Sequence, residues 1–320
     1  FGTGSSISVD VNTSKSQRTY ALSVVEPYIT PEGLSRSYDL YTRRVDLEEL
    51  DVADVEYETT GAGIAWGIPF TETDRVFLGG RIERTKVMTN ANSPQRYQTY
   101  RDEFGKDPLS FALTLGWSRD SRDNSLAPTR GVYQRLNGEF ALPGLDIEYY
   151  KFTYQYQHFL PLSKTWTLAF NTEFGWGDTY GSTSMFPFFK NYYAGGIGSV
   201  RGFESGSLGP QDTNGDNLGG DRKWTGSIEL LAPLPGGDRT LRIFGFLDFG
   251  SVWGYEGYLD SGNIRYRRSD MSLSDLRYST GIGIAWISPL GPLKFSIAAP
   301  LNDKEGDDIQ RFQFQIGTGF

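Results

Sequence analysis

The chain has 320 residues, enough for one large β-domain or two ordinary ones, and carries 39 glycines, 19 tyrosines, 21 phenylalanines and a formal charge of −8. That acidic balance, with no basic stripe, argues against a nucleic-acid partner, and the absence of cysteine excludes disulfides and thiolate metal sites. No run of about 18 apolar residues occurs, which excludes a transmembrane helix; a hydrophobic content of 38% suits either a water-soluble domain or a transmembrane barrel with a polar lumen.

Period-two alternation predicts about fourteen strands, near 4–13, 17–28, 34–46, 55–68, 75–89, 109–122, 131–142, 147–161, 164–178, 222–233, 239–253, 277–288, 291–300 and 310–320. Phe111, Leu113, Leu115 and Trp117 share one face, with Ala112, Thr114, Gly116 and Ser118 between them. The run from Trp166 to Trp176 and the run from Thr280 to Trp286 repeat the pattern. One face of each strand is apolar and the other polar or small. The only competing signal is a short turn near 97–105.

The connections alternate in kind. Pro27 to Gly33, Pro69 to Asp74, Pro161 to Lys164, Pro233 to Asp238 and Ser288 to Pro292 are short; 90–108, 179–221 and 254–276 are long. A soluble sandwich gives no reason for loops sorted by parity, whereas an up-and-down membrane barrel has short turns on one side and long loops on the other. Tyr28, Phe70, Phe159, Trp253 and Trp286 near strand ends fit interfacial girdles. The expected fold is all-β: a single antiparallel transmembrane β-barrel spanning 1–320, apolar face to lipid and polar face to the lumen. Phe1 reads as the start of a mature or trimmed fragment.

The loop at 179–221 is too long and glycine-rich for a hairpin connection. It contains Val200-Arg201-Gly202-Phe203, with Gly195, Gly196 and Gly198 just before. An always-charged arginine folded inward needs acidic partners. Glu229, between Ile228 and Leu230, and Asp248, between Leu247 and Phe249, both point into the lumen by alternation. Spacing leaves two readings open: partners of a folded-in Arg201, or carboxylates solvated by channel water.

Weaker signals read as structure. Asp212 to Asn217 has calcium-loop composition, but Lys223 stands where an EF-hand needs its distal glutamate, so a solvated surface loop is expected. His158 is the sole histidine and has no local Ser or Asp to form a triad. Glu48-Glu49-Leu50-Asp51 reads as an exposed loop face. No metal, cofactor or catalytic residue is expected.

Val200-Arg201-Gly202-Phe203 is followed by Ser227-Ile228-Glu229-Leu230 and by Leu247-Asp248-Phe249-Gly250-Ser251-Val252-Trp253. Together with the stretches 189–196, 288–293 and 311–317, this order resembles the BamA family of outer-membrane protein assembly factors along essentially the whole chain. The resemblance implies a sixteen-stranded barrel preceded by periplasmic POTRA domains, in the bacterial outer membrane. Phe1-Gly2-Thr3-Gly4 resembles the turn after the family's second strand, so the first hairpin and the POTRA domains fall outside the numbered chain. It also implies that Arg201 reaches Glu229 and Asp248 and braces the loop against the wall.

The function implied is folding and insertion of outer-membrane proteins through a lateral seam, with no energy source of its own. Implied partners are unfolded outer-membrane proteins bearing a C-terminal β-signal, accessory lipoproteins bound mainly through the POTRA domains, and outer-membrane lipid and lipopolysaccharide. The seam strand is the last one, with Phe312, Phe314 and Ile316 toward lipid, Gly317 and Gly319 weakening it, and Phe320 ending it as outer-membrane proteins end. The lesser reading of Gly317 is a bulge that relieves barrel strain. The competing readings are a two-partner-secretion or autotransporter-assembly translocator and a passive porin-like channel.

Overall fold

The computed structural model describes residues 4–234, 240–261, 263–288, 291–304 and 306–317. The chain opens with β1 (Ser6–Thr13), β2 (Gln17–Glu26), β3 (Ser35–Asp46), β4 (Val55–Pro69) and β5 (Asp74–Thr89). Helix α1 (Gln95–Phe104) precedes β6 (Leu109–Asp120), β7 (Gly131–Ala141), β8 (Tyr149–Pro161) and β9 (Thr167–Thr179). The two-residue β10 (Gly202–Phe203) lies in the long loop that leads to β11 (Arg222–Pro233) and β12 (Leu241–Trp253). A separate hairpin, β13 (Tyr255–Asp260) and β14 (Asn263–Arg268), follows. The chain then forms β15 (Arg277–Ser288), β16 (Gly291–Pro300), the short β17 (Ile309–Gln310) and β18 (Phe312–Ile316).

Fourteen of these make one antiparallel sheet, running without crossovers from β1 to β9, then β11, β12, β15, β16 and β18. Each overlaps one of the fourteen segments that the alternation predicts. The inside-out burial follows from the same period. Val9 is 72% exposed, Ile282 67% and Ile297 60%, whereas Ala112, Asp248 and Ser279 on the opposite face are fully buried. In water such a continuous apolar exterior would be an aggregation surface; in hydrocarbon it is the solvent-matched face.

Laid flat, fourteen strands would be about 60 Å wide. Residues of the single loop between β9 and β11 nevertheless reach across most of that width. Asn217 donates its N–H to the Val52 carbonyl after β3, Lys190 pairs with Glu83 on β5, and Gly202 pairs in register with Gln310 next to β18. Only a sheet rolled around the loop allows this, so the loop occupies the lumen of a barrel.

Several expectations need correction. The turn near 97–105 is a ten-residue helix, α1. The hairpin of β13 and β14 lies inside a segment read as plain loop. Trp253 is 2% exposed, its indole N–H near Asp275, and so belongs to no lipid girdle. Phe159 shares the inward face with Lys151 by alternation along β8. The last strand begins at Phe312, because Ile309 and Gln310 leave the sheet to pair with the loop.

Candidate functional site

The lumen loop turns back on itself through bridges from Tyr192 to Gly220 and from Ala194 to Leu208. Gly195, Gly196 and Gly202 adopt φ of 108°, 86° and 92°, the left-handed region that a side chain rarely tolerates. At Gly202 space is short as well: a Cβ there would sit 3.1 Å from that of Ala298 on β16. The loop can therefore lie close against the wall. Val200 and Phe203, both fully buried, pack with Ala194, Leu208 and Val252 and keep the segment dry.

Between them Arg201 turns to the wall. Its Nε donates to Asp248 Oδ2 at 2.7 Å, its Nη2 to Asp248 Oδ1 at 2.6 Å, and its backbone N–H to Oδ2 at 3.0 Å. Nη2 also donates to Ser227 Oγ at 2.9 Å. Nη1 lies 2.7 Å from Glu229 Oε1, an ion pair without hydrogen-bond alignment, and Lys294 Nζ reaches the same oxygen at 3.1 Å. The guanidinium carbon lies over Phe246, 3.6 Å from the ring centroid. Arg201 is 2% exposed and Asp248 0%, so water supplies almost none of this solvation. Two cations face two anions, the balance a buried charge cluster requires.

The same segment is tied to the final strand. Gln313 on β18 donates from Nε2 to the Phe203 carbonyl at 2.7 Å, and its Oε1 accepts from the Gly202 N–H at 3.4 Å. Glu204 N–H donates to the Asp308 carbonyl at 2.8 Å. The glutamine alternates with Phe312 and Phe314, which face outward at 58% and 60% exposure. Ile316 is outward too, and Gly317 follows with φ of 86° while its N–H reaches the Pro292 carbonyl. A Cβ on Gly317 would meet nothing within 4 Å. Gly319 and Phe320 lie outside the described residues.

A second charged cluster was not anticipated. Lys190 Nζ bridges Glu83 Oε2 at 2.6 Å and Glu139 Oε1 at 2.8 Å. Arg81 pairs with Glu139, while the Tyr41 and Tyr149 hydroxyls donate to Glu83 and Glu139 respectively. Lys151 Nζ donates to the Lys190 carbonyl at 2.5 Å. Alternation carried the signal, since Glu83 and Glu139 both occupy inward positions of β5 and β7, but nothing in the sequence tied either to Lys190.

Above the clusters the long loops close over the lumen. Tyr97 of α1 stacks on Phe188 at 4.2 Å and donates to the Leu218 carbonyl, and burial raises its pKa. Arg96 lies over the Tyr255 ring at 3.8 Å, and the Tyr266 hydroxyl donates to Asp212. Asp212 and Asn217, expected to be solvated, are buried in this cap. Burial and the charges of Asp212 and Asp54 raise the Asp216 pKa. No grouping of residues suited to a metal ion occurs among the described residues.

Residues 1–320 match the model of the Omp85 superfamily domain. The outer membrane protein assembly factor BamA of Neisseria meningitidis serogroup B is 41% identical over 348 residues, covering 100% of this chain and 44% of that protein. The protein of that name from Nitratidesulfovibrio vulgaris is 26% identical over 325 residues, covering 100% of this chain and 38% of its own length. This chain thus spans less than half of either relative. The crystal structure of BamA from Haemophilus ducreyi lacking POTRA domains 1–3 superimposes with a TM-score of 0.85 at 27% identity, covering 98% of this chain and 64% of that one. The chain belongs to the Omp85 superfamily, and it is an outer-membrane β-barrel.

Proposed function

We propose that this barrel folds and inserts outer-membrane proteins through a seam at β18, without chemistry or an energy source of its own. The observation that carries the reading is the double attachment of Val200-Arg201-Gly202-Phe203. Arg201 fastens it to Asp248 and Glu229, and Gln313 fastens it to the last strand. A wall that must hold its shape while one edge exchanges partners needs such an internal brace. Closing a sheet in hydrocarbon pairs every edge N–H and C=O, so opening a seam is costly unless an incoming strand replaces the lost pairs. Unfolded outer-membrane proteins supply that strand by β-augmentation at the exposed edge.

Accessory lipoproteins acting through POTRA domains, and a first hairpin ahead of β1, belong to the same proposal. Both fit relatives more than twice as long as this chain. A passive channel fits less well, because the lumen is filled by the loop and capped by α1 and the β13–β14 hairpin. A two-partner translocator shares the motif loop; the whole-chain identity to an assembly factor favours insertion.

The test uses the natural lack of cysteine. One cysteine replaces Gln315 and a second is placed on the strand edge that closes against β18, in the protein reconstituted in liposomes. Oxidation is expected to stop client insertion and reduction to restore it. Insertion at full rate through the locked seam, or a large steady single-channel conductance, sinks the proposal.

A further inference from the structure

The strands between the braced wall and the seam differ from the rest of the barrel. Their registers set inward rows that start on β11. One row is Glu229, Phe246, Gly281 and Ala298; the next toward the short turns is Leu231, Phe244, Gly283 and Ser296. β15 and β16 thus bring only small side chains to these rows. A Cβ at Gly281 would sit 2.7 Å from the Phe246 ring, and one at Gly283 2.3 Å from the Phe244 ring. The rings of β12 therefore lie over β15 with no side chain to interlock them. On the outer face Gly245, in register between Leu230 and Ile282, leaves an apolar hollow of about 680 Å³. Glycine on both faces of one strand boundary takes away the side-chain packing that resists bending.

Lys294, one row further on, is the exception. Its Nζ passes the Phe244 ring at 5.0 Å and reaches Glu229 Oε1 at 3.1 Å, the oxygen that Arg201 Nη1 also meets. Among the described residues it forms the only ion pair from β15 or β16 to another strand. Lys294 also stands in register with Gln315, within the five-residue pairing of β16 and β18. One side chain therefore joins the neighbour of the seam strand to the wall that holds the loop. The Lys294 side chain is 31% exposed, whereas those of Arg201 and Asp248 are 2% and 0% exposed. Water can take up the ammonium as it leaves, so this tie yields well before the Arg201–Asp248 pair does. A flexible ammonium also sets a distance without setting an angle, as a tether across a hinge must.

We propose that β15 and β16 form a hinged panel bending at the β12–β15 boundary, and that Lys294 is the positioning residue that sets how far it swings from the β11–β12 wall. With Lys294 on Glu229 the panel is drawn in, and β18 lies where Gln313 reaches the Phe203 carbonyl. With Lys294 released, the panel and β18 move outward together. Arg201 keeps its two donors on Asp248, so the loop stays fastened. Glu229 retains Arg201, so no carboxylate is left buried and unpaired. The inference deepens the seam reading and rests on it for its purpose, but the swing itself is measured without a client.

The natural lack of cysteine allows spin labels at two chosen places in the protein reconstituted in nanodiscs. Labels on Phe152→Cys and Ile297→Cys, both outward, read the panel against the far wall; labels on Phe152→Cys and Leu247→Cys read the braced wall. K294M is expected to raise the population at longer 152–297 distance about fivefold and to leave the 152–247 distribution unchanged. K294R, which keeps the charge, should restore most of the short distance. An unchanged 152–297 distribution in K294M overturns the proposal. Equal broadening of both pairs overturns it too, since Lys294 would then support the whole wall. Should K294M fail to fold, the unsubstituted protein decides. Raising salt from about 0.1 M to about 1 M screens the part-exposed pair and should lengthen the 152–297 distance alone; no change overturns the proposal. Client insertion by the same variants separates the two readings: a panel freed in K294M with insertion at the unsubstituted rate supports the hinge and counts against the seam as the route.

Discussion

Arg201 and Lys190 are eleven residues apart on one loop, yet they grip opposite walls by different means. Arg201 meets Asp248 through two donors of its fork, adds its own backbone N–H and sets its guanidinium carbon over the Phe246 ring. Lys190 offers a single point of charge midway between Glu83 and Glu139, whose remaining lone pairs are taken by Arg81 and two tyrosines. A planar fork fixes position and orientation; an ammonium fixes position alone. The motif segment next to the seam strand is therefore held in a defined orientation, and the segment under the cap is held by charge.

Substitutions should separate the two. The largest effect is expected from Arg201→Ala, which strands Asp248 in a dry wall: about 3–5 kcal/mol of stability lost, read as a lower melting temperature and loss of heat-modifiability. Arg201→Lys should recover little of it, because the two-pronged grip on Asp248 does not survive; near-complete recovery would mean the anchor is only charge. Lys190→Met leaves Arg81 facing two carboxylates and should cost roughly 2 kcal/mol. A loss equal to that of Arg201→Ala would erase the asymmetry between the clusters. Gln313→Leu should cost about 1–2 kcal/mol by leaving the Phe203 carbonyl unpaired, with faster hydrogen exchange confined to 201–204 and β18.

The smallest effect belongs to a control outside both clusters, Asp123 in the turn between β6 and β7. Partial burial works against its charge, but hydrogen bonds from Thr129 and from the Arg130 N–H hold its pKa down at about 2. A folded-state value below the ordinary one of about 3.9 contributes stability that is present above about pH 4 and lost as pH falls through about 2. Asp123→Asn should remove that acid-dependent component and shift melting by no more than a degree or two at neutral pH. A larger shift would show that the short turns carry stability assigned here to the anchors.

Alternation made the strands legible because a two-residue period with one face in lipid leaves little freedom of register. It also placed Glu229 and Asp248 inward. Their pairing with Arg201 was not readable from spacing, since water and arginine satisfy a lumen carboxylate equally well on paper. Lys190 stayed hidden for the same reason, its partners lying 107 and 51 residues away. Helix α1 did leave a trace. Tyr97, Tyr100 and Phe104 recur at intervals of three and four, the spacing of one helical face, and two of them are fully buried. The β13–β14 hairpin gathers Tyr255, Leu259, Ile264 and Tyr266 on one face, but strands of six residues give too short an alternation to stand out from the loop around them.

The bond between Gly202 and Gln313 joins residues 111 apart in sequence. Contacts of such range form late and slowly, and this one lies inside a rolled sheet beneath a cap. A barrel already zipped shut would leave no route by which a loop of some forty residues could be drawn in and fastened at both ends. The expected order of assembly is therefore that the loop settles against β5, β7, β11 and β12 while the last strand is still loose, with β18 docking onto Phe203 last. Pulse proteolysis during refolding should find 190–203 protected before 309–316. The strand that finishes the barrel then meets a completed interior, so a molecule with an empty lumen would hold its final strand by the pairing with β16 alone.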